Sequence, residues 1–216
     1  MRKIKFLPTL LLMLAVVMMA SCSEATTAEE EYPDWQATNE SYFDKLYTAT
    51  KAKIDAGDTS WKIIRSWTLD STLATHSYDH IIVHVESEGN STVRAYTNDS
   101  VRVHYKGRLI PSKSYTSGYV FDKSYTGTFN AISSTPSEGV VSGYVNGFTT
   151  AILNMHLGDS WEVYIPYQLG YGTTEKSTIP AYSTLIFNVN LVGIYRSGSE
   201  MPEWNAKFNE WIEWEE

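Results

Sequence analysis

Cysteine is all but missing from this sequence: Cys22 is the only one among 216 residues. No intrachain disulfide can therefore form, even in an oxidising compartment, and no cysteine cluster can hold a metal. Long apolar runs are missing too. The longest, Phe6 to Ala20, stops at about 15 residues where a spanning helix needs about 20. Positive charge is scarce, with 17 Lys and Arg against 25 Asp and Glu and a net charge of −8, which argues against nucleic acid as a partner. Acid–base equipment thins out in one aromatic stretch, IPYQLGYGTTEKSTIPAYSTLIF (Ile165 to Phe187). It has no Ser–His pair, no cysteine and no carboxylate cluster, and its only formal charges are Glu175 and Lys176. If it belongs to an active site, the reaction needs little proton transfer.

What is present at the N-terminus reads as an export signal. Arg2, Lys3 and Lys5 precede the apolar run, and small residues follow it, the pattern of a secretory signal over residues 1–21. Met19-Ala20-Ser21-Cys22 resembles a bacterial lipobox, which implies a mature chain that starts at Cys22 and carries lipid on its thiol. Loss of residues 1–21 removes three cations and no anion, so the net charge moves from −8 to −11. The polar, acidic stretch over 22–34 is expected to be a disordered tether. These features place the chain in the cell envelope, outside the cytoplasm and anchored by lipid, with the outer membrane as the expected site.

Hydrophobic periodicity organises the rest. Trp35, Leu46, Ala49 and Ile54 recur at helical spacing and Gly57 offers a stop, which predicts one amphipathic helix within an N-terminal extension over 35–77. WKIIRSW (61–67), HIIVHVES (80–87) and SVRVHYKGRL (100–109) read as strands, the last two separated by turn residues. The stretch SGYVNGFTTAILNMHLGD opens on Ser142, a candidate N-cap, sets Val145, Phe148 and Ile152 on one face and ends at Gly158, so it reads as a short helix. SWEVYIPY and STLIFNVNLVGIY read as further strands. Antiparallel strands around one embedded helix make an α+β domain over 78–196. The tail over 197–216 sets Trp204, Phe208 and Trp211 at i, i+4, i+7 and is expected to be helical.

Several stretches, in order, resemble the FKBP-type peptidyl-prolyl isomerases. VHYKGRL (103–109) is similar to the family's V-H-Y-x-G-x-L, and FDKSY (121–125) to F-D-S-S. VVSGYVNGFTTAILNMHLGDSWEVYIP (140–166) resembles V-I-x-G-W-x-x-G followed by a strand closing in I-P. LGYG and IPAYSTLIFNVNL resemble A-Y-G and I-P-P-x-x-T-L-x-F-x-V-x-L. The resemblance covers about 115 residues and implies a twisted antiparallel β-sheet wrapped around one short α-helix. It also implies a pocket made of Tyr105, Phe121, Asp122, Val140, Val141, Tyr144, Tyr171, Ile179 and Phe187. The sequence departs from the pattern in three places. Tyr144 stands where the family usually has Trp, six extra residues lie between Tyr105 and Phe121, and TFNAISSTPSEG is lengthened, with Phe129 as the candidate for the family's other wall aromatic.

The implied reaction fits the missing acid–base groups. Rotation about an X–Pro bond breaks no bond and moves no proton; its barrier of roughly 18–20 kcal/mol is amide resonance. Twisting the C–N bond removes the charge separation of the planar amide, so a dry apolar cleft favours the twisted state. Aromatic walls hold the pyrrolidine ring and hydrogen-bond donors fix the flanking carbonyls. By resemblance Tyr144, Val140, Val141 and Phe187 form floor and inner wall, Phe121 flanks the ring, and Tyr171 offers its hydroxyl to a carbonyl. Asp122 accepts from the Tyr105 hydroxyl and orients it. No cofactor or metal is implied, and the partners expected are proline-containing polypeptides and, through Cys22, a membrane. His76, His80 and His84 lie four apart, but on a strand His80 and His84 would stand about 13 Å from each other, too far to share an ion. Two readings of function stay open: an isomerase that assists folding of exported proteins, and a non-catalytic module of the same fold that binds peptides or a partner.

Overall fold

The computed structural model describes residues 30–131 and 133–203. Cys22 and the apolar run before it, and Trp204, Phe208 and Trp211 of the expected terminal helix, lie outside the described residues. Residues 197–203, the described start of that tail, are turn and coil.

Seven strands form one sheet: β1 (Trp61–Arg65), β2 (His80–Ser87), β3 (Ser100–Leu109), β4 (Val120–Lys123), β5 (Ser137–Val140), β6 (Ser160–Ile165) and β7 (Leu185–Tyr195). Their order is β1-β2-β6-β7-β3-β4, and every pairing is antiparallel. The long strand β3 serves two short partners on its free edge. Its first half, Ser100 to Val103, pairs with β5, and Lys106 to Arg108 pair with β4. Neither β4 nor β5 was expected from the sequence. Both are four residues long and largely exposed, so they carry no apolar alternation to read.

Among the described residues two α-helices complete the fold: α1 (Trp35–Asp55) and α2 (Asn146–Asn154). On a strand, successive side chains point to opposite faces. Ile81, Ile82 and Val83 of β2 are nevertheless all fully buried, because both faces are covered, with α1 and α2 each packing against β1 and β2. The 21-residue α1 ends as expected at Gly57, which takes φ 91° and donates its N–H to Ile54 O at 2.9 Å. Among the described residues no helix is long and apolar enough to cross a membrane.

Buried polar groups fix where α1 sits. Asn39, fully buried, accepts the Thr184 N–H at 2.7 Å and donates to Trp35 O at 2.7 Å, while the Trp35 indole donates to Ser183 Oγ at 2.8 Å. Segment 35–77 thus holds β1 as an edge strand of the sheet as well as a helix docked on the entry to β7. Just before α1, the Glu31 carboxylate accepts from the Ser112 and Ser114 hydroxyls, each at 2.6 Å, and Tyr32 packs on Trp35.

The embedded helix is shorter than its apolar pattern. Ser142 does not cap it; Val141–Gly143 form a separate 3-10 turn, and α2 starts at Asn146 with Val145 at the cap position and no side-chain cap. Thr149 of α2 donates to Val141 O at 2.8 Å, so the turn and the helix are tied by a buried hydroxyl instead of by one continuous helical ladder.

Candidate functional site

The site begins with β3. Tyr105 and Gly107 occupy the half of this strand that runs beside β4 and β7. Gly107 has to be small: a Cβ there would lie 2.5 Å from the Phe121 ring and 2.7 Å from the Phe187 ring. Removing that atom lets Phe121 of β4 and Phe187 of β7 close over the strand, their centroids 5.5 Å apart in an edge-to-face contact. Phe148 of α2 continues the cluster, with centroids 5.1 Å from Phe187 and 4.9 Å from Tyr144. Tyr105 meets Phe148 and Phe187 edge-on at 6.3 and 6.1 Å. Four elements, β3, β4, α2 and β7, supply one aromatic box.

The box opens into a cleft of about 450 Å³. Of the residues singled out from the sequence, Tyr105, Phe121, Asp122, Tyr144, Tyr171, Ile179 and Phe187 line it. The other two do not. Val140 ends β5 with its side chain 46% exposed, and Val141 is fully buried in the core. The two are neighbours with opposite fates because the chain leaves the strand between them. The Val141 N–H binds Asp99 O at 2.9 Å, its carbonyl accepts from Thr149, and its side chain turns inward. Phe129 is no wall of this cleft either; it packs 5.2 Å from the buried His104 ring and 5.1 Å from Tyr125.

The sequence places Phe148 and Val145 only on the apolar face of a helix and gives no sign that they line the cleft, nor that Ser137, Gly143 and Lys176 to Thr178 form its rim. The helical spacing of Val145 and Phe148 shows an apolar face but says nothing of whether that face meets a sheet or a cavity. The rim turn is tight. Lys176 and Ile179 exchange backbone hydrogen bonds of 2.9 and 2.7 Å, and Ser177 takes φ 48°.

The polar groups are few. The Tyr105 hydroxyl donates to Asp122 Oδ2 at 2.6 Å, and Asp122 Oδ1 accepts the Lys123 N–H at 2.8 Å. Burial, reinforced by the Asp122 carboxylate, pushes the Tyr105 phenol well above its ordinary value, so it stays a neutral donor. Burial likewise raises Tyr144, whose oxygen is enclosed beside Gly139 with no hydrogen-bond partner among the described residues. Among those residues no group of three His, Cys, Asp or Glu side chains is placed to hold a metal; His80 and His84 lie along β2 and His76 precedes it. The cleft can bind and desolvate a small ring and present a hydroxyl; it has no nucleophile–base pair.

A family model described as FKBP-type peptidyl-prolyl cis-trans isomerase matches residues 91–192, the span that contains the whole cleft. FK506-binding protein 1A of Neurospora crassa is 37% identical over 117 residues, which are 54% of this chain and 89% of that protein. The chain belongs to the FKBP family. An FKBP-type 22 kDa peptidyl-prolyl cis-trans isomerase of Escherichia coli is 38% identical over 111 residues, but these are only 48% of its length, so the chain matches about half of that relative. A solved peptidyl-prolyl cis-trans isomerase from Pseudomonas syringae pv. tomato has a similar fold, with a TM-score of 0.52, 20% identity and coverage of 74% of this chain and 96% of its own. Of the departures from the FKBP sequence pattern, Tyr144 lines the cleft, the longer chain runs between β3 and β4, and the lengthened segment lays Phe129 on His104.

Proposed function

We propose that this protein catalyses cis–trans exchange at X–Pro bonds of exported polypeptides. One observation carries the reading: the aromatic box of Tyr105, Phe121, Phe148 and Phe187 opens on a cleft sized for a pyrrolidine ring and its neighbours, in a chain of the FKBP family. The proline ring lies among Phe121, Phe187 and Ile179 over the Tyr144 floor. Burying it there displaces water from the amide, and loss of water favours the less polar, twisted state. Tyr171, 38% exposed at the rim, donates its hydroxyl to a substrate carbonyl, and Asp122 holds Tyr105 in orientation. No covalent or acid–base step is needed.

The client class follows from the sequence before the described residues. A basic start, a short apolar run and a lipobox-like Met19-Ala20-Ser21-Cys22 support an envelope protein tethered through lipid on Cys22, where the polypeptides it meets are exported ones.

The test is the rate of cis-to-trans exchange in short proline peptides with and without purified protein. Wild type accelerates it, and Tyr171→Phe loses about fivefold in kcat/KM, the worth of about 1 kcal/mol of hydrogen bonding. Peptide binding by well-folded protein without any acceleration would replace this reading with that of a non-catalytic binding module. For the anchor, wild type partitions into detergent and Cys22→Ser does not; absence of lipid from the wild-type protein would refute it.

A further inference from the structure

Among the described residues only two formally charged ones line the cleft, Asp122 and Lys176. Asp122 is committed: one carboxylate oxygen accepts from the Tyr105 hydroxyl and the other from the Lys123 N–H. Lys176 is exposed at the mouth, and among the described residues its ammonium has no ion pair. Its position is not left to a floppy loop. The two backbone hydrogen bonds between Lys176 and Ile179 close a tight turn, and Ile179, 7% exposed, anchors that turn in the cleft wall. The uncommitted charge at this site is therefore positive, on a chain whose overall charge is strongly negative.

We infer that Lys176 makes the cleft selective for X–Pro segments that carry a carboxylate side chain next to the proline. The inference rests on the isomerase reading of the same cleft and names its preferred substrates. Two electrostatic effects compete. The net charge of −8 repels an acidic peptide at long range, whereas Lys176 attracts it at contact. At 0.15 M salt the screening length is about 8 Å, so the distant charges fade and the contact persists. A solvent-exposed pair of this kind changes kcat/KM by about two- to fivefold.

The experiment uses three matched peptides with Glu, Gln or Lys beside the proline, placed before it in one set and after it in another. Wild type, Lys176→Gln and Lys176→Glu are compared at 0.15 M salt, and peptide affinity is measured alongside turnover. Wild type favours Glu over Gln by about two- to fivefold in at least one set; the ratio falls to one in Lys176→Gln and inverts toward the Lys peptide in Lys176→Glu. A Glu-to-Gln ratio of one in wild type, or the same ratio in wild type and Lys176→Gln, overturns the inference. If no peptide is isomerised, the isomerase reading falls by itself, and the same ratios taken from peptide affinities decide the role of Lys176.

Discussion

Tyr144 concentrates the consequences of a single atom. Its oxygen is buried without a hydrogen-bond partner among the described residues, and a Cβ on Gly139 would come within 2.4 Å of that oxygen and 2.9 Å of Cζ. Enclosing a hydroxyl with nothing to bond costs about 1–3 kcal/mol. Tyr144→Phe removes that cost and gives up only the dispersion contacts of one oxygen, about 0.1–0.2 kcal/mol each. The variant should be more stable by about 1 kcal/mol, a rise in Tm of about 2–4 °C for a chain of this size. Gly139→Ala should do the reverse, forcing the ring out at a cost of about 1–3 kcal/mol. In the double variant the 2.4 Å clash is gone while the ring carbon remains, so the alanine should cost less, with a coupling of about 1 kcal/mol. Urea denaturation of the four proteins in this cycle measures every quantity. Destabilisation of Tyr144→Phe by 1 kcal/mol or more would show the hydroxyl to be satisfied in solution and would refute the reasoning. Coupling near zero would refute the contact with Gly139.

Two further outcomes follow. Val141→Asp buries an unpaired carboxylate in the core and should leave the protein unfolded on expression, whereas Val140→Asp, on a 46% exposed side chain, should fold with stability within about 0.5 kcal/mol of wild type; equal behaviour of the two would contradict the chain reversal between them. Burial lowers the His104 imidazole below its ordinary 6.5, so its neutral form contributes stability above that pH, and the contribution is lost as the pH falls through the lowered value. Urea midpoints should drop as the pH is taken down from 6.5, and His104→Phe should flatten the drop; an unchanged slope would count against a neutral, buried ring.

The sequence by itself determined the elements whose signal is local. The strands His80–Ser87 and Ser100–Leu109 match their β-branched runs to the residue, and α1 matches the Trp35 to Ile54 period within one residue, because in each the side-chain pattern repeats at the period of the backbone. The resemblance to the family's motifs also named Tyr105, Phe121, Asp122, Tyr171 and Phe187, and all five line one cleft, three of the segments that carry them being brought together by the pairing of β3 with β4 and β7. What only the tertiary structure decided depends on groups distant in sequence. Strands β4 and β5 exist because β3 offers each of them half an edge; their own residues specify neither. Val140 and Val141 look alike as neighbours in the chain, and it is hydrogen bonds to Asp99 and Thr149 that send one outward and the other into the core. Phe148 belongs to the cleft and Phe129 does not, because α2 faces β7 across the box while the longer loop lays Phe129 on His104. Local periodicity fixes which side of an element is apolar; what that side meets is settled by the packing of other elements upon it.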